Sequence, residues 1–144
     1  MDIRMTAERL AQQGWRRHAP KGFTGLIGPL WSRTEQGILA FGLIAGEDHL
    51  NPAGLVHGGM LATLLDQVIS TASWQAVGRL PCVTIQLDAQ FLSAVKAGAF
   101  VEARAEVVKK TREIVFARGE LTVSMTIVAT GNAVLKILQA VSSH

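Results

Sequence analysis

The chain has no tyrosine, one cysteine, and a single formally charged side chain, Asp66, between His49 and Arg79. Each scarcity excludes something. Without tyrosine, with no recognition-helix pattern and with no strand that interleaves aromatic and basic residues to stack bases, the sequence does not read as a nucleic-acid binder. Cys82 cannot close a disulfide within the chain, and one cysteine is no metal site, which points to a reducing interior and a cytoplasmic protein. Its plainer role is a small hydrophobe at the start of a strand. His18, His49 and His144 have no ligand spacing, so neither a metal nor another cofactor is expected. Residues 1–20 carry Arg4, Arg9, Arg16 and Arg17 among Asp2 and Glu8, with no continuous apolar run, and do not read as a secretion signal. The run 54–78 has the length of a membrane span, but His57, Asp66, Gln67, Ser70, Ser73 and Gln75 would be costly in lipid. A buried helix of a soluble protein, with no membrane partner, is the expectation.

What is present suits one domain over residues 1–144, with 1–22 as an N-terminal helix and lead-in, because 49% hydrophobic residues can supply a full core. A net charge of +3 would suit an anionic partner, yet the basic residues are scattered among acids except at Lys109-Lys110-Thr111-Arg112. A phosphorylated small molecule matches that distribution better than a polyanion.

The periodicity changes along the chain. Thr6 can cap a short helix through about Gln13, with Glu8 in the favoured first turn, before Gly14 and Pro20 end it. Strands are predicted over 27–33 and 38–44, with Thr34-Glu35-Gln36-Gly37 as the turn. From 58 to 77, Leu61, Leu64, Leu65, Val68, Ile69, Ala72 and Ala76 fall on one stripe of a long helix. After Pro81 the period drops to two. Val83, Ile85, Leu87, Ala89 and Phe91 alternate with Thr84, Gln86, Asp88 and Gln90, and 99–108, 113–122 and 127–138 complete a set of four strands. The segment 122–126 lacks the Gly, Asn or Asp expected of a hairpin turn, which leaves that boundary open. Four successive strands favour an antiparallel sheet, and one long apolar helix needs that sheet to cover it, giving an α+β fold.

An acid inside an apolar helix is either held by specific partners or used, because an unpaired buried carboxylate costs several kcal/mol or takes up a proton. The segment Asn51-x-x-Gly54-x-x-His57-Gly58-Gly59 opens that helix, Asp66 lies within it, and Thr84 stands early in the next strand. In motif and in element order this chain resembles the hotdog-fold thioesterases of the phenylacetic-acid-degradation (PaaI-like) group, from about residue 27 to 138. The resemblance implies an antiparallel sheet wrapped around one central helix, subunits paired edge to edge as a homodimer or a dimer of dimers (homotetramer), and active sites at the subunit interface. It implies an acyl-CoA substrate hydrolysed to acid and thiol. It casts Asp66 as general base or nucleophile, Asn51 as positioning the attacking water, and Thr84 as a partner of Asp66 or of that water. His57 would hold the loop and touch the thioester.

The residues support these roles on physical grounds. Two glycines at a helix start let a carbonyl approach the backbone, whose first N–H groups are unpaired, so Gly58 or Gly59 can donate to an oxyanion. The plainer reading is a tight loop-to-helix turn. Asp66 stands eight residues on, about 12 Å along the axis, so one chain cannot easily bring both to one carbonyl. Two antiparallel helices across a twofold axis can. Lys109, Lys110 and Arg112 suit the nucleotide phosphates of coenzyme A, or else a solvated hairpin tip. The alternative to an enzyme is a non-catalytic acyl-CoA binding or sensing protein. A hydratase is disfavoured because its Asp-x-x-x-x-His pattern is missing.

Overall fold

The computed structural model describes residues 5–139; Asp2, Arg4 and His144 lie outside them. In chain order its elements are α1 (Ala7–Gln12), β1 (Arg16–His18), α2 (Phe23–Leu26), β2 (Leu30–Glu35) and β3 (Ile38–Ile44), then a single 3-10 turn at Glu47–His49. These are followed by α3 (Gly58–Ala76), β4 (Cys82–Phe91), β5 (Phe100–Lys110), β6 (Ile114–Val123) and β7 (Thr126–Ile137). The strands form one antiparallel sheet in the order β1-β2-β3-β5-β6-β7-β4.

The sheet curves around α3. The helix buries Leu61, Leu64, Leu65, Val68, Ile69 and Ala72 as predicted, together with Met60 and Ser73. Full burial of each large side chain in that row contributes about 1.5–3 kcal/mol. Gly119 and Gly131 stand opposite each other on β6 and β7, and a Cβ there would come within 3.0 Å of Ile69 and 3.3 Å of Leu65, so their bareness sets how closely the helix lies on the sheet. On the other face, Leu10 of α1 joins Trp15, Trp31, Ala40 and Phe100 in a second apolar cluster. Thr6 caps α1 as expected, its hydroxyl accepting from the Arg9 N–H at 3.2 Å. Among the described residues no helix is long and apolar enough to cross a membrane.

The structure corrects several local expectations. The strand predicted from residue 27 starts at Leu30, because Gly28 adopts φ +101° and Pro29 cannot donate to a ladder. The turn that follows is only Gln36 and Gly37, both at positive φ, as a two-residue hairpin with right-handed strand twist requires. At the other end of the sheet, Ser124 and Met125 adopt φ +47° and +68°, so the hairpin between β6 and β7 makes the same turn without Gly, Asn or Asp. Thr84 does not share the outward face of Gln86 and Asp88. Its hydroxyl reaches Asp66 on α3, while Leu87 and Ala89 pack on the same core, although strict alternation would put residues 84 and 87 on opposite faces. A register shift between Thr84 and Gln86 changes the phase and leaves Val83 and Ile85 exposed.

Candidate functional site

The loop before α3 is shaped by its own polar groups. Asn51 Oδ1 accepts from the backbone N–H of Ala53 at 3.0 Å and of Leu55 at 3.1 Å, and the Asn51 N–H donates to Leu55 O at 2.7 Å. Gly54, at φ +81°, takes the left-handed position that this tight turn needs. Asn51 is thus a turn former through its oxygen, with its amide NH2 left to donate elsewhere. His57 ends the loop as the N-cap of α3. Its backbone N–H donates to His49 O at 2.8 Å, and its Nδ1 accepts from the Gly59 N–H at 2.8 Å. In the neutral ring the proton therefore sits on Nε2, and Nδ1 cannot serve as a base.

The two glycines part company here. The Gly59 N–H is engaged by His57, and a Cβ on Gly59 would stand 3.0 Å from that Nδ1. The Gly58 N–H has no partner among the described residues. It points from the positive end of a 19-residue helix, where unpaired donors and the helix dipole favour negative charge. Gly58 and Asn51 line a cleft of about 350 Å³ with Leu61, Phe91 and Val95. The Phe91 ring lies 3.4 Å from where a Gly58 Cβ would stand. Sequence periodicity counts Phe91 among the core residues, but half of it is exposed beside the helix start, and nothing in the alternation could have shown this.

Asp66 is partly exposed rather than sealed in the core. Its Oδ1 accepts from Thr84 Oγ1 at 2.6 Å, and Thr84 Oγ1 lies 3.5 Å from Ser70 Oγ. Ser70, one turn after Asp66, joins the cluster through Thr84. Asp66 and Thr84 are thus brought together, Asn51 and Gly58 are brought together, and the two pairs are not. Eight residues of helix separate Gly58 from Asp66, about 12 Å of rise.

The basic segment lies elsewhere. Lys109 and Lys110 end β5, and Arg112 stands in the turn to β6, where Thr111 N–H donates to Ile114 O at 2.8 Å. Lys110 Nζ donates to Ala76 O at 2.6 Å, capping the C-terminal end of α3, where a cation is favoured. That end is roughly 27 Å from Gly58 along the helix. Cys82 gives no second nucleophile: burial pushes its thiol pKa up, away from thiolate. Among the described residues no three His, Cys, Asp or Glu side chains gather as a metal would require.

Comparison with known proteins bears on the same segment. The sequence model of the Thioesterase superfamily matches residues 53–126, which includes Gly58, Asp66 and Thr84. A Pseudomonas aeruginosa protein provisionally named an esterase is 30% identical over 114 residues, 78% of this chain and 85% of its own length. Mouse acyl-coenzyme A thioesterase 13 is 30% identical over 76 residues, and the match spans about half of each protein, 53% of this chain and 54% of the mouse enzyme. Among solved structures, a mutant of the phenylacetic acid degradation protein PaaI from Thermus thermophilus superposes with a TM-score of 0.73 at 28% identity, covering 81% of this chain and 98% of that one. The wrapped helix and seven-stranded antiparallel sheet are the hotdog fold of these neighbours.

Proposed function

The chain belongs to the thioesterase superfamily, and from that premise we propose that it hydrolyses an acyl-coenzyme A thioester to the free acid and coenzyme A. The observation that carries this reading is the division of one helix into two half-sites, a free Gly58 N–H at its start and a Thr84-held Asp66 in its middle. Each half suits one task in acyl transfer. Neither suffices alone.

In this reading two chains pair across a twofold axis at the β4 edge, so that Asp66 of one protomer meets Gly58 of its partner. The thioester carbonyl oxygen takes the Gly58 N–H, and His57 Nε2–H and the Asn51 amide stand near as further donors. Asp66 drives the attack as general base, taking the proton of a water as its oxygen bonds to the carbonyl carbon, or as nucleophile, bonding to that carbon itself. The Thr84 hydroxyl fixes the carboxylate's orientation in either case. Negative charge then develops on the former carbonyl oxygen, where a single preorganised donor is typically worth roughly 3 kcal/mol. The tetrahedral species collapses by breaking the C–S bond, and coenzyme A leaves as thiolate and takes up a proton from solvent. The general-base route leaves the free acid directly, whereas the nucleophilic route leaves an acyl–Asp66 anhydride that a water then hydrolyses to the acid and the free carboxylate. Lys109 and Arg112, exposed at the hairpin tip, are the cations left for the nucleotide phosphates, because Lys110 is occupied at the end of α3.

Free-thiol release from a panel of acyl-CoA substrates tests the proposal. Turnover of at least one aryl-acyl or medium-chain thioester is expected, and Asp66→Asn should remove it while the protein still folds. Wild-type turnover in Asp66→Asn would take Asp66 out of the mechanism. The second reading, an acyl-CoA binding protein without turnover, is favoured by the fact that one chain does not assemble the site. It is supported instead if an acyl-CoA analogue binds a stable monomer and no substrate is cleaved.

A further inference from the structure

A cavity of about 400 Å³ lies at the edge of the sheet opposite β4. Strand register dictates what looks into it. In the β1–β2 pair Arg16 stands opposite Ser32 and His18 opposite Leu30, and directly opposed residues of an antiparallel pair share a face. Leu30 belongs to the core beneath α3, so that shared face is the helix side. Arg16 and His18 therefore project over a floor of Leu30, Leu39 and Phe41, toward Gln67 of α3. The segment from Pro20 to α2 closes the space, with Thr24 Oγ1 at 3.5 Å from Gln67 Oε1.

Three features of this cavity narrow its occupant. No aspartate or glutamate lines it. Arg33, at its margin, is spent, since its guanidinium donates to Glu35 and to Gln13 O and lies 4.4 Å from the Trp15 ring centroid, whereas Arg16 has no carboxylate partner among the described residues. Ser32 is buried and joined to His18 Nε2, which fixes the imidazole beside Arg16. A cation and, where Nε2 accepts from Ser32, the His18 Nδ1–H over an apolar floor, within the volume range of small-molecule sites, suit a ligand with one anionic end and an apolar body.

We propose that this cavity binds a small monocarboxylic acid, its carboxylate on Arg16 and His18 and its apolar body on Leu30, Leu39 and Phe41. The site is distinct from the hydrolytic one. Gln67 leaves α3 about 100° around from Asp66, which turns toward Thr84 on the far edge of the sheet. An acid released from a thioester is a ligand of this class, so the cavity senses product; this clause alone rests on the proposed function.

Calorimetric titration with phenylacetate tests the proposal, in the presence and absence of a saturating non-hydrolysable acyl-CoA analogue. Saturable binding is expected in both conditions, weakened about tenfold or more by Arg16→Gln and removed by Thr34→Trp, which fills the mouth of the cavity. Initial hydrolysis rates of Arg16→Gln, measured before product accumulates, should equal those of the wild type. No saturable binding, equal affinity in both variants, or complete displacement by the analogue would overturn the proposal. Arg16-dependent binding in a protein that cleaves no thioester would keep this site and sink the hydrolytic one, so the two can fail separately.

Discussion

The two edges of the sheet are built in opposite ways. The β1 edge is three residues long and reads Arg16-Arg17-His18, with all three side chains exposed. Short length and basic side chains are ordinary means of keeping a strand edge from pairing with another chain. The β4 edge runs for ten residues, carries no charge before Asp88, and exposes Val83, Ile85 and Phe91. Long, apolar and uncovered, it has the character of a surface that another chain completes. Asp66 and Thr84 lie beside this edge and none of the candidate catalytic residues lies beside the other. What the contrast teaches is that the edge left open is the one beside which the candidate catalytic residues gather.

The sharpest way to break this contrast is to remove the carboxylate beside the open edge. Asp66→Asn is expected to lower kcat by about a thousandfold with an unchanged melting temperature, because Asp66 is partly exposed and its amide can still accept from Thr84. Steady-state kinetics and thermal denaturation check it together. Gly58→Ala should cost about a hundredfold in kcat and much less in the affinity of a non-hydrolysable analogue. The new methyl would meet Phe91 at 3.4 Å, an ordinary contact, so folding should survive. If kcat and affinity fell together, the glycine would be a turn former only.

Ile85→Lys places a charge on the open edge and should prevent the proposed pairing of two chains, lowering activity about tenfold or more at micromolar protein. Arg17→Leu on the closed edge should leave the sedimentation coefficient unchanged. A monomer of full activity would defeat the comparison outright. Thr84→Val should lower kcat about tenfold, since it frees the carboxylate's orientation without deleting it.

The smallest effect lies far from the open edge. The Arg104 side chain, hydrogen-bonded to Glu35 and helped by Arg33, holds the Glu35 carboxyl down from 4.5 to about 2, against burial, which raises it. A lowered folded-state pKa contributes stability that is fully present above pH 4.5 and is lost as the pH falls toward 2. Glu35→Gln should therefore flatten the loss of stability across that window, by on the order of 1 kcal/mol at this partly solvated site. Urea denaturation at stepped pH measures it, and oligomeric state should not change.

Long periodic elements can be read from the sequence, and short or broken ones cannot. The stripe of α3 from Leu61 to Ala72 is buried as its period requires, and on β5 Val101 and Ala103 are buried while Ala105 and Val107 are half-buried on the same core, because many residues obey one period; Ala76, at the end of the stripe, is also only half-buried. Three residues of β1 and four of α2 are too few to show any period, and neither element is visible in the sequence. The bulge after Thr84 has no marker residue, so alternation assigns Thr84 to the wrong face, and it is resemblance that ties it to Asp66. Ser124 and Met125 make a turn whose usual residues are absent, since the strands on either side are paired firmly enough to impose the positive φ angles. The division of labour between Gly58 and Gly59 depends on which N–H the His57 ring takes, a question of rotamer that spacing cannot answer.

The central claim is that one active site draws on two chains, and subunit exchange tests it most directly. Gly58→Ala and Asp66→Asn homodimers, each nearly inactive, are mixed, dissociated and allowed to reassociate. In each heterodimer one site inherits both lesions and the other neither. With random exchange half of the dimers are mixed, so activity should return to about a quarter of the wild-type value. Activity that stays at the level of the separate variants, while native mass spectrometry shows heterodimers present, would contradict the shared site.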